Sequence, residues 1–138
     1  MAEQTAVKNF LLDSHAFFWA VSIEEFGNLS MNARAAIESR KARIFVSSVS
    51  AYELANKYHR GKLPEYESIN KNLPAVIETL GAEVLPVSLA HAETAALLDW
   101  EHRDPFDRML VAQAHVDGLV LITKDACLRE CPHAETLW

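Results

Sequence analysis

A chain of 138 residues has room for one domain and little more. Half of those residues are apolar, 23% are charged, and glycine and proline number only 4 and 5, which excludes a disordered, collagenous or low-complexity protein. The net charge of −6 repels phosphate backbones on average and argues against nucleic-acid binding, unless gathered carboxylates hold a divalent cation that reverses the sign locally.

In chain order, Lys8–Asp13 is a short apolar run ending in an acid and reads as a buried strand. A short helix starts at or beside Ser14 and runs through Trp19 to Val21. Phe17, Phe18 and Trp19 on it read as core or dimer contacts rather than base-stacking platforms. Ser30 caps a helix over Met31–Arg40, with Ala33, Ala36 and Ile37 on one side. Ile44–Val46 is a second β-rich run, and the serines at 47, 48 and 50 offer caps for a helix that closes near Gly61. Arg60–Asn72 is polar and reads as a loop with some helical character. Pro74 fits the first position of a helix ending at Gly81, followed by a strand over Val84–Val87. Ser88 caps an alanine-rich helix over Leu89–Trp100, and Asp104-Pro105 opens another over Phe106–Asp117, stopped by Gly118. Leu119–Thr123 is a strand, Asp125 begins a short helix, and Glu135–Trp138 closes as an edge strand.

Near-continuous apolar strands separated by helices predict a mainly parallel sheet of four to five strands, flanked by helices on both faces, in one α/β domain over residues 1–138. The longest apolar run, Ala16–Val21, is six residues, against about 20 for a membrane-spanning helix. Asp13 and His15 break the only signal-like stretch. Cys127 and Cys131 are too few for a disulfide framework, and with His133 they match no familiar zinc pattern, so both read as partly buried free thiols. A cytoplasmic protein is expected.

In open parallel sheets, ligands bind beyond the carboxyl ends of the strands. Asp13 ends the first strand and Asp125 follows the fourth, although each is equally well placed to cap a helix. Asp107 shares an apolar stripe with Leu110, Val111 and Ala114, where an unpartnered carboxylate is costly. Its competing role is a helix-dipole contact in the first turn after Asp104. Ser50 and Glu53 match a capping box, but the earlier serines would place Glu53 inside the helix. His102-Arg103-Asp104 echoes a kinase catalytic loop, which the chain is too short and too poor in glycine to contain.

LLDSHAFFWA (11–20), SAYELANKYHRGKL (50–63), HRDPFDRMLVAQA (102–114) and LITKDA (121–126) resemble, in order, four blocks of the PIN-domain family, with the closest likeness to VapC-like toxins of toxin–antitoxin pairs. Serine at 14, where the family more often has threonine, keeps a hydroxyl, and Tyr52 keeps an aromatic where tryptophan is frequent. The resemblance implies a parallel sheet flanked by helices and a metal-dependent endoribonuclease whose acids fall on Asp13, Glu53, Asp107 and Asp125. Asp104 is a fifth acid or only the cap. Asp13 and Asp107 are expected as direct ligands of Mg²⁺ or Mn²⁺, with Glu53 and Asp125 acting directly or through water.

Ser14, His15, Arg103 and Lys124 are candidate RNA contacts, and Lys57, Arg60, Lys62 and Arg108 lie near enough to join them. The resemblance also implies a homodimer and a cognate antitoxin through which DNA is met only indirectly. The alternatives are a PIN-like module that holds RNA without cutting it, or a phosphoacceptor signalling domain. The latter usually has paired acids where Asp13 stands alone.

Overall fold

The computed structural model describes residues 7–138; the first six residues of the expected domain lie outside the described part. Among the described residues, five strands form one sheet: β1 (Phe10–Leu12), β2 (Ile44–Ser47), β3 (Ala82–Leu85), β4 (Val120–Ile122) and β5 (Thr136–Leu137). All of the pairings are parallel, in the order β3-β2-β1-β4-β5. The helices are α1 (Ser14–Val21), α2 (Met31–Glu38), α3 (Ser48–His59), α4 (Glu67–Asn70), α5 (Leu73–Leu80), α6 (Leu89–Leu97), α7 (Pro105–Asp117) and α8 (Ala126–Arg129).

Alternation along the central strands divides the core between the two sheet faces. Leu12, Ile44, Val46 and Ile122 point into a cluster with Phe17, Phe18, Leu54 and Ile77. Leu11 and Leu121 point the other way, into Leu110, Val111, Ala114 and Leu128. Both faces are therefore buried, which is why β1 and β4 read as unbroken apolar runs. Phe17 and Phe18 are core residues, as expected, while Trp19 is only partly buried at the edge of the first cluster.

Several boundaries differ from the sequence reading; β1 and β5 are shorter, and α2 ends at Glu38 rather than Arg40. β3 begins at Ala82, two residues early, because Gly81 (φ 81°) ends α5 in the left-handed conformation and passes the chain straight into pairing with Ile44. α6 stops at Leu97 rather than Trp100; the guanidinium of Arg108 takes the carbonyls that would otherwise end the helix. The segment 60–72 is more ordered than its polarity suggests. A 3-10 turn over Pro64–Tyr66 leads into α4, anchored by fully buried Tyr66 and by Ile69.

The Tyr66 hydroxyl is buried with no hydrogen-bond partner among the described residues, and burial pushes its ionisation above the ordinary tyrosine range. An unmatched buried hydroxyl costs about 1–3 kcal/mol. Tyr66→Phe, which keeps the ring packed on Tyr58, should therefore raise the melting temperature by a few degrees. A lower melting temperature by calorimetry would show that the hydroxyl is satisfied in solution.

Candidate active site

Three acids take their positions from the helices they begin. Asp13 follows β1 as the N-cap of α1, its Oδ1 accepting from the Ala16 amide at 2.7 Å. Asp125 follows β4 as the N-cap of α8, accepting from Cys127 N at 2.8 Å. Asp104 caps α7 through the Phe106 amide at 2.9 Å. β1 and β4 are adjacent and parallel, so the first two caps emerge side by side at the carboxyl edge of the sheet. Capping and gathering are therefore one arrangement, and the two readings of Asp13 and Asp125 do not compete.

Glu53 and Asp107 come from helix interiors. Ser47 is the N-cap of α3, through the Val49 amide, which puts Glu53 well past the first turn and rules out the capping box with Ser50. The Ser50 hydroxyl instead accepts from Ser14 Oγ at 2.9 Å, tying α3 to α1. One cavity of about 170 Å³ is lined by Asp13, Glu53, Asp104, Asp107 and Asp125, with Ser14, His15 and Lys57 among its other walls. All five acids singled out from the sequence thus border a single cleft, drawn from residues more than a hundred positions apart.

The electrostatics carry the mark of that crowding. Burial pushes the Asp13 carboxyl above the ordinary carboxylate range, against the Thr123 hydroxyl and the Ala16 amide, which favour the charged form; nearby Asp107 pushes it further up. Burial likewise raises Asp107, with Asp104 and Asp125 adding repulsion and His102 opposing it. Glu53 makes no side-chain hydrogen bond among the described residues, which leaves it free to reorient.

His102 is the residue that sequence reasoning missed. Its Nε2 stands 2.7 Å from Asp107 Oδ2, and its ring stacks on Trp100 at 4.6 Å between centroids. It lies two residues before the Asp104 cap and folds back over the first turn of α7, a placement that no motif in the sequence signals. Arg108 holds the segment in place: Nε donates to Ala95 O (3.0 Å), Nη2 to Leu98 O (2.8 Å), and Nη1 to Trp100 O (2.7 Å) and His102 O (2.9 Å). Arg108 is therefore a backbone clamp and not a free phosphate contact. Arg103 lies on the far side of this loop, in a separate cavity with Trp100 and His102, outside the acid cleft. Ser14 and His15 line the cleft, and Lys124 lies just beyond it with Asp13 and Asp125.

The donors suit a small hard cation, since carboxylate oxygens dominate the walls. Among the described residues, no three His, Cys, Asp or Glu side chains stand close enough to enclose an ion outright. A cation here would therefore be met by one or two carboxylates and reach the others through water, the mode Mg²⁺ favours. Both cysteines are free thiols, as expected, but neither is partly buried: Cys131 is buried, and Cys127, at the start of the short α8, is exposed. Among the described residues, no helix is long and apolar enough to cross a membrane.

Comparison with known proteins agrees with this geometry. Ribonuclease VapC22 of Mycobacterium tuberculosis is 34% identical over 135 residues, covering 93% of this chain and 97% of that protein. Among solved structures, VapBC2 from Rickettsia felis, bound to a DNA fragment from its promoter, superposes with a TM-score of 0.67 at 15% identity, covering 93% of this chain and 96% of that one. DNA-bound VapBC from Salmonella typhimurium gives 0.66 at 21% identity, covering 95% and 98%. The PIN domain family model matches residues 10–133, a span that holds all five acids of the cleft. With that match, the parallel sheet and the acids at its carboxyl edge, the chain belongs to the PIN domain family.

Proposed function

We propose that the protein is a metal-dependent endoribonuclease that hydrolyses RNA phosphodiesters at the acid cleft, and that it is the toxin of a toxin–antitoxin pair acting in the cytoplasm. The observation that carries this reading is the gathering of Asp13, Glu53, Asp107 and Asp125 on one small cavity. It is supported by the likeness to a ribonuclease over nearly the whole chain. So many carboxylates, two of them raised by burial and mutual repulsion, are costly as structure alone and are rational where a cation offsets them.

Asp13 and Asp107 would hold Mg²⁺ or Mn²⁺, with Glu53 and Asp125 completing the site directly or through water and Asp104 serving chiefly as the α7 cap. A cation held there would supply positive charge to the scissile phosphate and acidify water. The chain's own residues do the rest. His102 fixes the rotamer of Asp107 by occupying Oδ2, so that one oxygen of that carboxylate stays turned to the cavity. Glu53, unpaired and half-buried, is placed to orient the attacking water and accept its proton. Lys57, on the cavity wall, offers a charge to an RNA phosphate, as Lys124 does outside it. Arg103 serves only at longer range, from the neighbouring cavity.

The protein is further proposed to act as a homodimer and to be silenced by a cognate antitoxin, with DNA contacted only through that partner. Several of the structural neighbours are themselves toxin–antitoxin assemblies. An antitoxin arginine seated between the carboxylates would mimic the cation through charge-assisted hydrogen bonds.

The test is cleavage of a pooled RNA library with Mg²⁺ or Mn²⁺ against the same reaction in EDTA. Metal-dependent products with discrete 5′ ends are expected. A protein that retains RNA on a filter in both metals yet leaves it intact would be a binding module instead. In the same samples, millimolar metal should stabilise the fold by about 1–3 kcal/mol through linkage, and an unchanged melting temperature would count against the site.

A further inference from the structure

Next to the acid cleft is a second recess of about 230 Å³ whose walls are Asp13, His15, Trp19, Lys124 and Asp125. Asp13, His15 and Asp125 belong to both hollows, so anything extending out of the cleft on that side enters the recess. We propose that the recess is a nucleobase subsite, in which the base next to the scissile phosphate stacks on the Trp19 indole while Lys124 meets the adjoining phosphate. The proposal rests on the ribonuclease reading above and deepens it.

Size and chemistry both point to a base. The recess is smaller than the roughly 300–1,000 Å³ of pockets for drug-sized ligands, a scale suited to a single planar ring system. Trp19, partly buried, borders the recess, with the movable His15 ring 5.8 Å from the indole at 30°. Trp138 packs against the indole at 5.9 Å and 58°, a contact that restricts it and so lowers the ordering cost of stacking. The Lys124 ammonium lies 6.0 Å from the indole centroid, within cation–π range. A basic peptide drawn to the carboxylates would collide with that ammonium, and an acidic one with Asp13 and Asp125. A polynucleotide instead offers an uncharged ring between two phosphates. Every base has a π-face, so such a platform binds strongly while tolerating several sequences.

The experiment uses an oligouridylate carrying a single 2-aminopurine, moved along the strand, with fluorescence read by stopped flow so that binding precedes any cleavage. Wild type should quench the probe at one register, and Trp19→Leu should abolish the quench. For cleavage of pooled RNA, Trp19→Leu should raise KM at least about fivefold with kcat little changed, and should flatten the base preference beside the cut. Trp19→Phe should restore both, and Lys124→Met should raise KM without removing the quench. A folded Trp19→Leu with wild-type KM, base preference and quench overturns the proposal and assigns the recess to a protein partner. Should Trp19→Leu fail to fold, an unchanged KM in Lys124→Met overturns it instead. A wild type that quenches but never cuts refutes the nuclease reading and leaves the subsite standing. One that cuts but quenches at no register does the reverse.

Discussion

Asp13→Asn is expected to lower metal-dependent RNA cleavage by about a thousandfold while leaving the metal-free protein at least as stable as wild type. The first half follows from the proposed site: a charged ligand would be lost where a cation would supply several kcal/mol of transition-state stabilisation, each 1.36 kcal/mol being tenfold in rate. The second half follows from burial. An asparagine oxygen still caps the Ala16 amide, because Asn is as good an N-cap as Asp, and the substitution removes a buried charge facing Asp107.

The pH dependence has a definite sign. Asp13 binds its proton more tightly in the folded protein than in the unfolded chain, where 3.8 is the reference value. Its contribution to stability is therefore fully favourable below that reference and is lost as pH rises through the raised folded value. In EDTA, the stability advantage of Asp13→Asn over wild type should be largest at neutral pH and shrink on acidification across that window. A pH-independent difference, measured by denaturant titration, would show that the carboxylate carries no buried charge. Loss of activity together with a large loss of stability would mean that Asp13 serves mainly to build α1.

Arg108→Met should destabilise the fold by about 3 kcal/mol, the largest single effect expected outside the two apolar cores. The guanidinium satisfies four backbone carbonyls between Ala95 and His102, and hydrogen bonds to a charged donor are worth about 1.5–3 kcal/mol each, well short of additive. Methionine replaces the aliphatic stem and none of the donors. Arg108→Lys should recover less than half of the loss, because a single ammonium cannot span the fork of Nε, Nη1 and Nη2. The clamp also carries the backbone of His102, so metal-dependent cleavage should fall in the folded fraction as well. A variant within about 0.5 kcal/mol of wild type, the range of an ordinary surface change, would mean that solvent replaces the clamp without penalty.

The sheet was legible because its strands are buried on both faces. Phe10–Leu12 and Val120–Ile122 show apolar runs with no polar alternation, which only a covered parallel sheet explains. Asp13 and Asp125 were legible because they stand at strand ends, and Asp107 because it shares an apolar helical stripe, whereas Glu53 and Asp104 stood out only through the blocks of family likeness. The segment 60–72 was not: Tyr66 and Ile69 are isolated among polar residues, and no periodicity announces an anchor of two side chains. The early end of α6 was hidden for a different reason, since the group that stops it is Arg108, eleven residues beyond the last helical position. His102 escaped because its partner is set by how the chain folds back over the Asp104 cap, which spacing alone does not encode. Trp19 reads in the sequence as a core or dimer contact; one part of it packs in the core and another borders the outer recess.

The strand order has a consequence for the protein's own synthesis. β1 carries Asp13, yet its neighbour β4, which brings Asp125 alongside, lies some hundred residues later in the chain. A ribosome must therefore make the hundred or so residues between them before the two halves of the cleft can meet, and pairings so distant in sequence close slowly. Nascent chains and fragments ending before Val120 would lack that half, so the cell that makes this protein is exposed to its chemistry only after the last strands have left the exit tunnel.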